Sequence, residues 1–166
     1  MTKALFLDRD GVINEDFGYV YKKEDFKFKE GIFELLKLFK DYKIFIVTNQ
    51  SGIARGYYSE NDFHKLMEWV KKEFKKNNIE IVDINFCPHH PDITGSCECR
   101  KPNAGMILDL AQKYGIDLAN SIMIGDKKSD IQAANKAGIT KTYLVKDNLF
   151  DIIEKIKKDK LCNIQI

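Results

Sequence analysis

The residues Asp8-Arg9-Asp10-Gly11 follow directly on the apolar run Ala4-Leu5-Phe6-Leu7. A buried strand that ends this way delivers neighbouring carboxylates into one crevice. Crowded carboxylates repel, and a hard, oxygen-ligated Mg²⁺ is the ion that makes them tolerable. Further along lie Thr48-Asn49-Gln50-Ser51, Arg100-Lys101, and Gly125-Asp126-Lys127 with Asp130 beyond. A carboxylate can approach an anionic phosphoryl group only if a metal, a lysine and hydroxyl or amide donors surround it. Asp126 suits the metal, Thr48 a hydrogen bond to phosphate, and Lys101 the balance of charge. Each has a bland role when read alone: acidic turn, threonine cap, solvated lysine. Together, at strand ends, they describe a phosphate pocket.

A second constellation is Cys87-x-His89 followed by Cys97-x-Cys99. Three thiolates and one imidazole make a complete tetrahedral set, and the spacing points to structural zinc, with His90 as a rival nitrogen. A clamp there would also fix the loop carrying Arg100 and Lys101. Cys162 reads as an ordinary buried or tail thiol.

The elements that must position these groups alternate along the chain. Ile44–Val47 predicts a second buried strand ending at Thr48, Ile79–Phe86 a third, Ile122–Ile124 a fourth and Thr142–Val145 a fifth. Between them, Ile32, Leu35, Leu36 and Phe39 recur at helical spacing. Ser59 with Asp62 forms a capping box ahead of the core stripe Phe63, Leu66, Met67, Val70 and Phe74. Met106, Leu108 and Leu110-Ala111 predict one helix, Ile131–Ala137 another, and Val145–Ile166 a last helix and tail. Strand and helix in alternation predict an α/β fold: a Rossmann-like parallel sheet flanked by helices, with ligands beyond the carboxyl ends of the strands.

The chain has 166 residues and is 44% hydrophobic, enough for one domain over 1–166, with the zinc loop at 87–99. A net charge of +2 from 27 basic and 25 acidic residues offers no concentrated field for nucleic acid or anionic lipid. The N-terminus lacks a signal-peptide layout and no apolar run approaches membrane-spanning length, so the cytoplasm is the expected compartment. A monomer is the default, since no stripe is left over for assembly.

Asp8-x-Asp10-Gly11, Thr48, Lys101 and Gly125-Asp126-x-x-x-Asp130 resemble, in this order, the four motifs of the haloacid dehalogenase superfamily of phosphotransferases. The resemblance implies that Asp8 attacks phosphorus, that Asp10 protonates the leaving alkoxide and later activates water, and that Mg²⁺ held by Asp8, Asp10 and Asp126 shields the charge. With Asp16-Phe17-Gly18-Tyr19-Val20, the run from Thr48 to Gly56, Cys87-Pro88-His89-His90-Pro91 and Cys99-Arg100-Lys101-Pro102, the chain is similar to the heptose 1,7-bisphosphate 7-phosphatase family from Asp8 to about Val145. That likeness implies a substrate held by Asp16, Phe17, Gly18, Tyr19, Thr48, Asn49, Gln50, Ser51, Arg100, Lys101 and Lys127. It also implies a heptose 1-phosphate product for surface-glycan (lipopolysaccharide core or capsule) synthesis, and no large cap domain.

Val12 stands where a Thr is common, Phe17 replaces a frequent His, and the stretch between His89 and Cys97 is short. Arg100, a planar fork suited to bidentate contact, is the expected partner of the distal phosphate. A histidinol-phosphate phosphatase shares the aspartates, the zinc loop and the Cys-Arg-Lys-Pro run, and the Gly-Tyr-Val and Gln-Ser-Gly-Ile-Ala-Arg-Gly segments favour the heptose enzyme over it. A phosphate-sensing receiver domain would need its acceptor at a middle strand end, where this chain has Thr48. A nucleic-acid-binding zinc module or a phosphatase of nucleic-acid ends is opposed by the balanced charge and by having only Arg9, Arg55 and Arg100 as arginines.

Overall fold

A computed structural model describes residues 1–164. Its strands are β1 (Ala4–Leu7), β2 (Lys43–Asn49), β3 (Ile81–Cys87), β4 (Ile122–Gly125) and β5 (Lys141–Leu144). They form a parallel sheet in the order β3-β2-β1-β4-β5. Helices α1 (Ile32–Lys37), α2 (Glu60–Lys76), α3 (Pro91–Thr94), α4 (Gly105–Tyr114), α5 (Lys128–Ala137) and α6 (Leu149–Ile164) connect and cover it.

The apolar runs are continuous because both faces of the sheet are buried. Side chains alternate between the faces, so Leu5 and Leu7, Ile44 and Ile46, and Ile122 and Ile124 enter one core with Phe63, Val70 and Phe74 of α2. Ala4 and Phe6, Phe45 and Val47, and Met123 enter the other with Met106, Ile107 and Leu110 of α4 and Ala133 and Ala134 of α5. Phe6 and Phe45 stack there at 5.6 Å between centroids. Each such side chain fully withdrawn from water contributes about 1.5–3 kcal/mol, which is what holds the strand ends in place.

The predicted capping box is present: Ser59 Oγ accepts from Asp62 N at 3.0 Å, and Asp62 Oδ2 accepts from Ser59 N at 3.0 Å. Several details differ from the sequence reading. Ile79 packs in the core ahead of β3 rather than within it, Leu108 is on the exposed side of α4, and α6 starts at Leu149 after a turn. The helix α3 inside the cysteine loop was not expected; Pro91 at its first turn and a His90 cap initiate it. Cys162 is exposed on α6, while the tail predicted to reach Ile166 extends outside the described residues. Among the described residues no helix is long and apolar enough to cross a membrane, and no cap domain stands over the strand ends.

Candidate active site

The strand order reverses direction of growth between β1 and β4, and a crevice opens beyond their carboxyl ends. Asp8 enters it directly after β1, and Asp126 directly after β4. Both are held by backbone pairing: Asp8 N donates to Ile124 O at 3.1 Å, and Val145 N to Gly125 O at 2.7 Å. Gly11, at φ +91°, turns the chain after Asp10, and a Cβ there would lie 2.0 Å from Asp126 Oδ2. Only glycine therefore lets the two loops close over each other.

Lys101 is the centre of charge. Its Nζ pairs with Asp8 Oδ1 at 2.9 Å and Asp130 Oδ1 at 2.6 Å, and donates to Val47 O at 3.0 Å, using all three ammonium hydrogens. Burial by itself would lower the lysine pKa, but Asp8 and Asp130 outweigh it and hold the value above normal, so the charge persists. Asn49 fixes the lysine from the backbone: Lys101 N donates to Asn49 Oδ1 at 3.0 Å, and Asn49 Nδ2 to Lys101 O at 3.3 Å.

Asp130 is fully occupied. Beyond Lys101, its Oδ2 accepts from Asp126 N and Lys127 N, each at 3.1 Å, at the start of α5. Asp126 Oδ1, in contrast, is buried with no hydrogen-bond partner. Burial, more than any neighbour, raises the pKa of Asp8 well above the ordinary carboxylate value, and burial is also the first cause of the increase at Asp126. One oxygen from each of Asp8, Asp126 and Asp130 lies within 4.8 Å of the others. An orphaned buried carboxylate oxygen costs on the order of 1–3 kcal/mol or more, and a hard cation beside it removes that cost. These residues fit a magnesium ion, with the free oxygens belonging to Asp8 and Asp126.

Of the expected magnesium ligands Asp8, Asp10 and Asp126, Asp10 does not bring its carboxylate to the other two. The Asp10 carboxylate turns away: its Oδ1 receives Arg9 Nη2 at 2.8 Å and Asn14 Nδ2 at 2.9 Å, and its Oδ2 receives Gln50 Nε2 at 3.2 Å. A guanidinium held beside it by Val20 O, at 2.7 Å, competes for it more directly than a site shared with other acids. Thr48, buried at the end of β2, accepts from Gln50 Nε2 at 2.9 Å. Asn49 and Gln50, read as substrate contacts, have their amides turned inward to Lys101, Thr48 and Asp10.

The other expected substrate residues lie on exposed or half-exposed ground. Asp16, Phe17, Gly18 and Tyr19 form an exposed loop in which Asp16 Oδ1 accepts from Gly18 N at 3.1 Å. Ser51 and Arg100 are half-buried, and Lys127 is exposed. Arg100 Nη1 donates to His89 O at 3.2 Å, tying it to the cysteine loop.

In that loop the four expected ligands converge. His89 Nδ1 is 3.2 Å from Cys99 Sγ and 3.6 Å from Cys87 Sγ, and Cys97 Sγ is 3.6 and 3.5 Å from the sulfurs of Cys87 and Cys99. The sulfurs of Cys87 and Cys99 are in still closer contact. His90 stays outside, its Nδ1 accepting from Asp92 N at 3.2 Å. Sequence reasoning missed Arg9, Asn14 and Tyr58 as parts of the site. The one available signal was an arginine between two acids at a buried strand end, since a buried guanidinium must be paired.

Known proteins can now be set beside this geometry. The HAD-hydrolase-like family model matches residues 98–159. A D-glycero-alpha-D-manno-heptose-1,7-bisphosphate 7-phosphatase of Campylobacter jejuni is 55% identical over 148 residues, covering 88% of this chain and 84% of that one. This chain belongs to the heptose-1,7-bisphosphate 7-phosphatase family. A Helicobacter pylori member named for the beta anomer is 48% identical over 150 residues, covering 89% of this chain and 86% of the relative. A crystal structure of the family enzyme from B. bronchiseptica, complexed with magnesium and phosphate, superposes with a TM-score of 0.78 at 34% identity, over 86% of this chain and 80% of that one.

Proposed function

We propose that this protein is a magnesium-dependent phosphoric monoester hydrolase that removes the 7-phosphate of D-glycero-D-manno-heptose 1,7-bisphosphate and leaves heptose 1-phosphate for surface-glycan precursor synthesis. The observation that carries this reading is the buried Asp8 carboxylate, paired with Lys101 beside the orphaned Asp126 oxygen, in a chain 55% identical to an enzyme named for that reaction.

In this reading a carboxylate oxygen of Asp8 attacks phosphorus and the bond to the sugar oxygen breaks. The electron pair leaves with that oxygen, which takes the proton of Asp10. Asp10, now ionised, draws a proton from water as it attacks the phospho-aspartate; inorganic phosphate departs and Asp8 is restored. Thr48 donates a hydrogen bond to the transferring group and Lys101 balances its charge. Magnesium supplies the positive charge that lets carboxylate and phosphoryl group meet. Asp8 and Asp126 would bind it through their carboxylates, with Asp10 beside them as the third expected ligand. Arg100 and Lys127, at the open rim, suit the distal phosphate, and the loop from Asp16 to Tyr19 with Ser51 suits the sugar. Asn49 and Gln50, beside Thr48, border the same substrate site while their amides brace Lys101, Thr48 and Asp10.

Cys87, His89, Cys97 and Cys99 are assigned to a structural zinc. Zn–S bonds of about 2.3 Å imply a tetrahedron edge of about 3.8 Å; the spacings of Cys97 to the other two sulfurs and of His89 to Cys87 approach it, while the Cys87 and Cys99 sulfurs lie well inside it. A soluble sugar phosphate substrate suits a cytoplasmic enzyme, and a monomer is its simplest form.

The test is steady-state phosphate release from both anomers of heptose 1,7-bisphosphate and from histidinol phosphate, with Mg²⁺ and with chelator. Preference for a heptose bisphosphate that disappears with chelator is the expected result. Preference for histidinol phosphate would transfer the enzyme to that substrate, and no release from any of them would end the assignment.

A further inference from the structure

Tyr58 belongs to no motif, yet it is buried on the far side of Gln50 from the reacting groups. Its hydroxyl bonds to Gln50 Oε1 at 2.5 Å. The other end of the same amide donates to Thr48 Oγ1 at 2.9 Å and to Asp10 Oδ2 at 3.2 Å. Gln50 thus has each end assigned, and an amide can be turned end for end at almost no steric cost unless a partner forbids it. A phenol that donates to the oxygen end is such a partner. Burial, the largest cause, pushes the Tyr58 pKa up to about 12, so the hydroxyl keeps its proton at neutral pH.

The seat of Tyr58 is specific. Its ring stacks on Tyr21 at 5.2 Å with an interplanar angle of 11°. Tyr21 follows Val20, whose carbonyl receives Arg9 Nη2. Gly52 makes room, because a Cβ there would lie 2.2 Å from Tyr58 Cε1. On Asp10, Oδ1 already has Arg9 and Asn14, so Oδ2 is the oxygen with capacity for proton transfer, and Gln50 is the group that aims it.

We propose that Tyr58 is a positioning residue: by fixing the orientation of the Gln50 amide it holds Asp10 Oδ2 in line with the leaving oxygen. This rests on the acid-base role given to Asp10 above. If Tyr58 is lost, the Gln50 amide can turn end for end, which takes its N–H donor away from both Thr48 Oγ1 and Asp10 Oδ2 and leaves Asp10 without the contact that aims it. The consequence falls on departure of a poor leaving group, because an alkoxide needs the proton as the bond to phosphorus breaks and a nitrophenolate does not.

The experiment compares wild type, Tyr58→Phe and Asp10→Asn, reading kcat/KM for heptose 1,7-bisphosphate and for p-nitrophenyl phosphate, with thermal melting of each variant. The ratio kcat/KM reports events up to loss of the alcohol, so hydrolysis of the phospho-aspartate does not blur it. Tyr58→Phe keeps the stacked ring. We expect it to lose about tenfold or more with the sugar and at most about twofold with the aryl phosphate, a fraction of the full general-acid effect. Asp10→Asn should show the same selectivity more strongly, and the double variant should lose no more than Asp10→Asn alone. An equal loss on both substrates, or no loss on either, overturns the role of Tyr58 while Asp10→Asn stays selective. If Asp10→Asn is itself unselective, the acid-base reading fails and the role of Tyr58 falls with it.

Discussion

A single ammonium group serves two carboxylates at the centre of this molecule. Because Asp130 is saturated by Lys101 and two backbone N–H groups, it can keep Lys101 in place whatever happens at Asp8. Asp8→Asn removes the nucleophile and one charge from a crowded buried site but leaves that anchor intact. We expect turnover to fall by about four orders of magnitude or more, with the melting temperature unchanged or raised. Phosphate release and a thermal melt check it, and substantial turnover in the variant would dismiss the phospho-aspartate. The nucleophile and the acid-base residue differ for a reason visible at this scale: Asp8 faces another acid and a lysine, whereas Asp10 is held by donors on both oxygens.

Between β3 and α4 a loop carries Lys101 into the site, and it has little secondary structure beyond α3. Its order comes from cross-links: Asn49 to the Lys101 backbone, Arg100 to His89 O, Asn103 Nδ2 to Cys97 O at 2.9 Å, Gly105 N to Glu98 O at 3.1 Å, and the cysteine cluster. Gly105 is needed there, since a Cβ would lie 2.4 Å from Glu98 O. If zinc closes the loop, Cys97→Ser should empty the site of metal, lower the melting temperature and reduce turnover through displacement of Arg100 and Lys101. Metal analysis and thiol titration test this together. Full zinc in the variant would remove Cys97 from the ligand set, whereas a wild type free of zinc with Cys87 and Cys99 unreactive would replace the metal by a disulfide.

Across the whole molecule, folding brings Asp8 and Asp126 from opposite ends of the chain to adjacent strand ends, and their mutual crowding is a cost met by the two cores. Both have folded pKa values above the usual 3.8, so the folded state binds protons more tightly than the unfolded chain. The sign follows: their contribution is most favourable below 3.8 and is lost as pH rises through the raised folded values. Metal-free protein should therefore lose stability from this pair as pH rises above 3.8, and Mg²⁺ should restore it at neutral pH. Melting with and without Mg²⁺ checks this against Asp126→Asn, in which the metal-dependent increase should vanish. An identical increase in that variant would remove Asp126 from the metal site.

The sequence by itself determined the alternation of strands and helices, the capping box at Ser59, the strand ends at Asp8, Thr48 and Asp126, and the four residues Cys87, His89, Cys97 and Cys99 that converge in one loop. These are local signals: apolar period, turn chemistry and spacing depend on neighbours in the chain. The tertiary structure alone decided which way polar side chains turned. Asp10 could have joined the other acids, but a buried Arg9 needs an anion, and Val20 holds that arginine against it. Asn49 and Gln50 looked ready for substrate, but a buried amide must satisfy each polar end, and Lys101, Thr48 and Tyr58 are where the fold puts those partners. Such choices depend on groups far apart in sequence, and only the packed chain brings them within reach of one another.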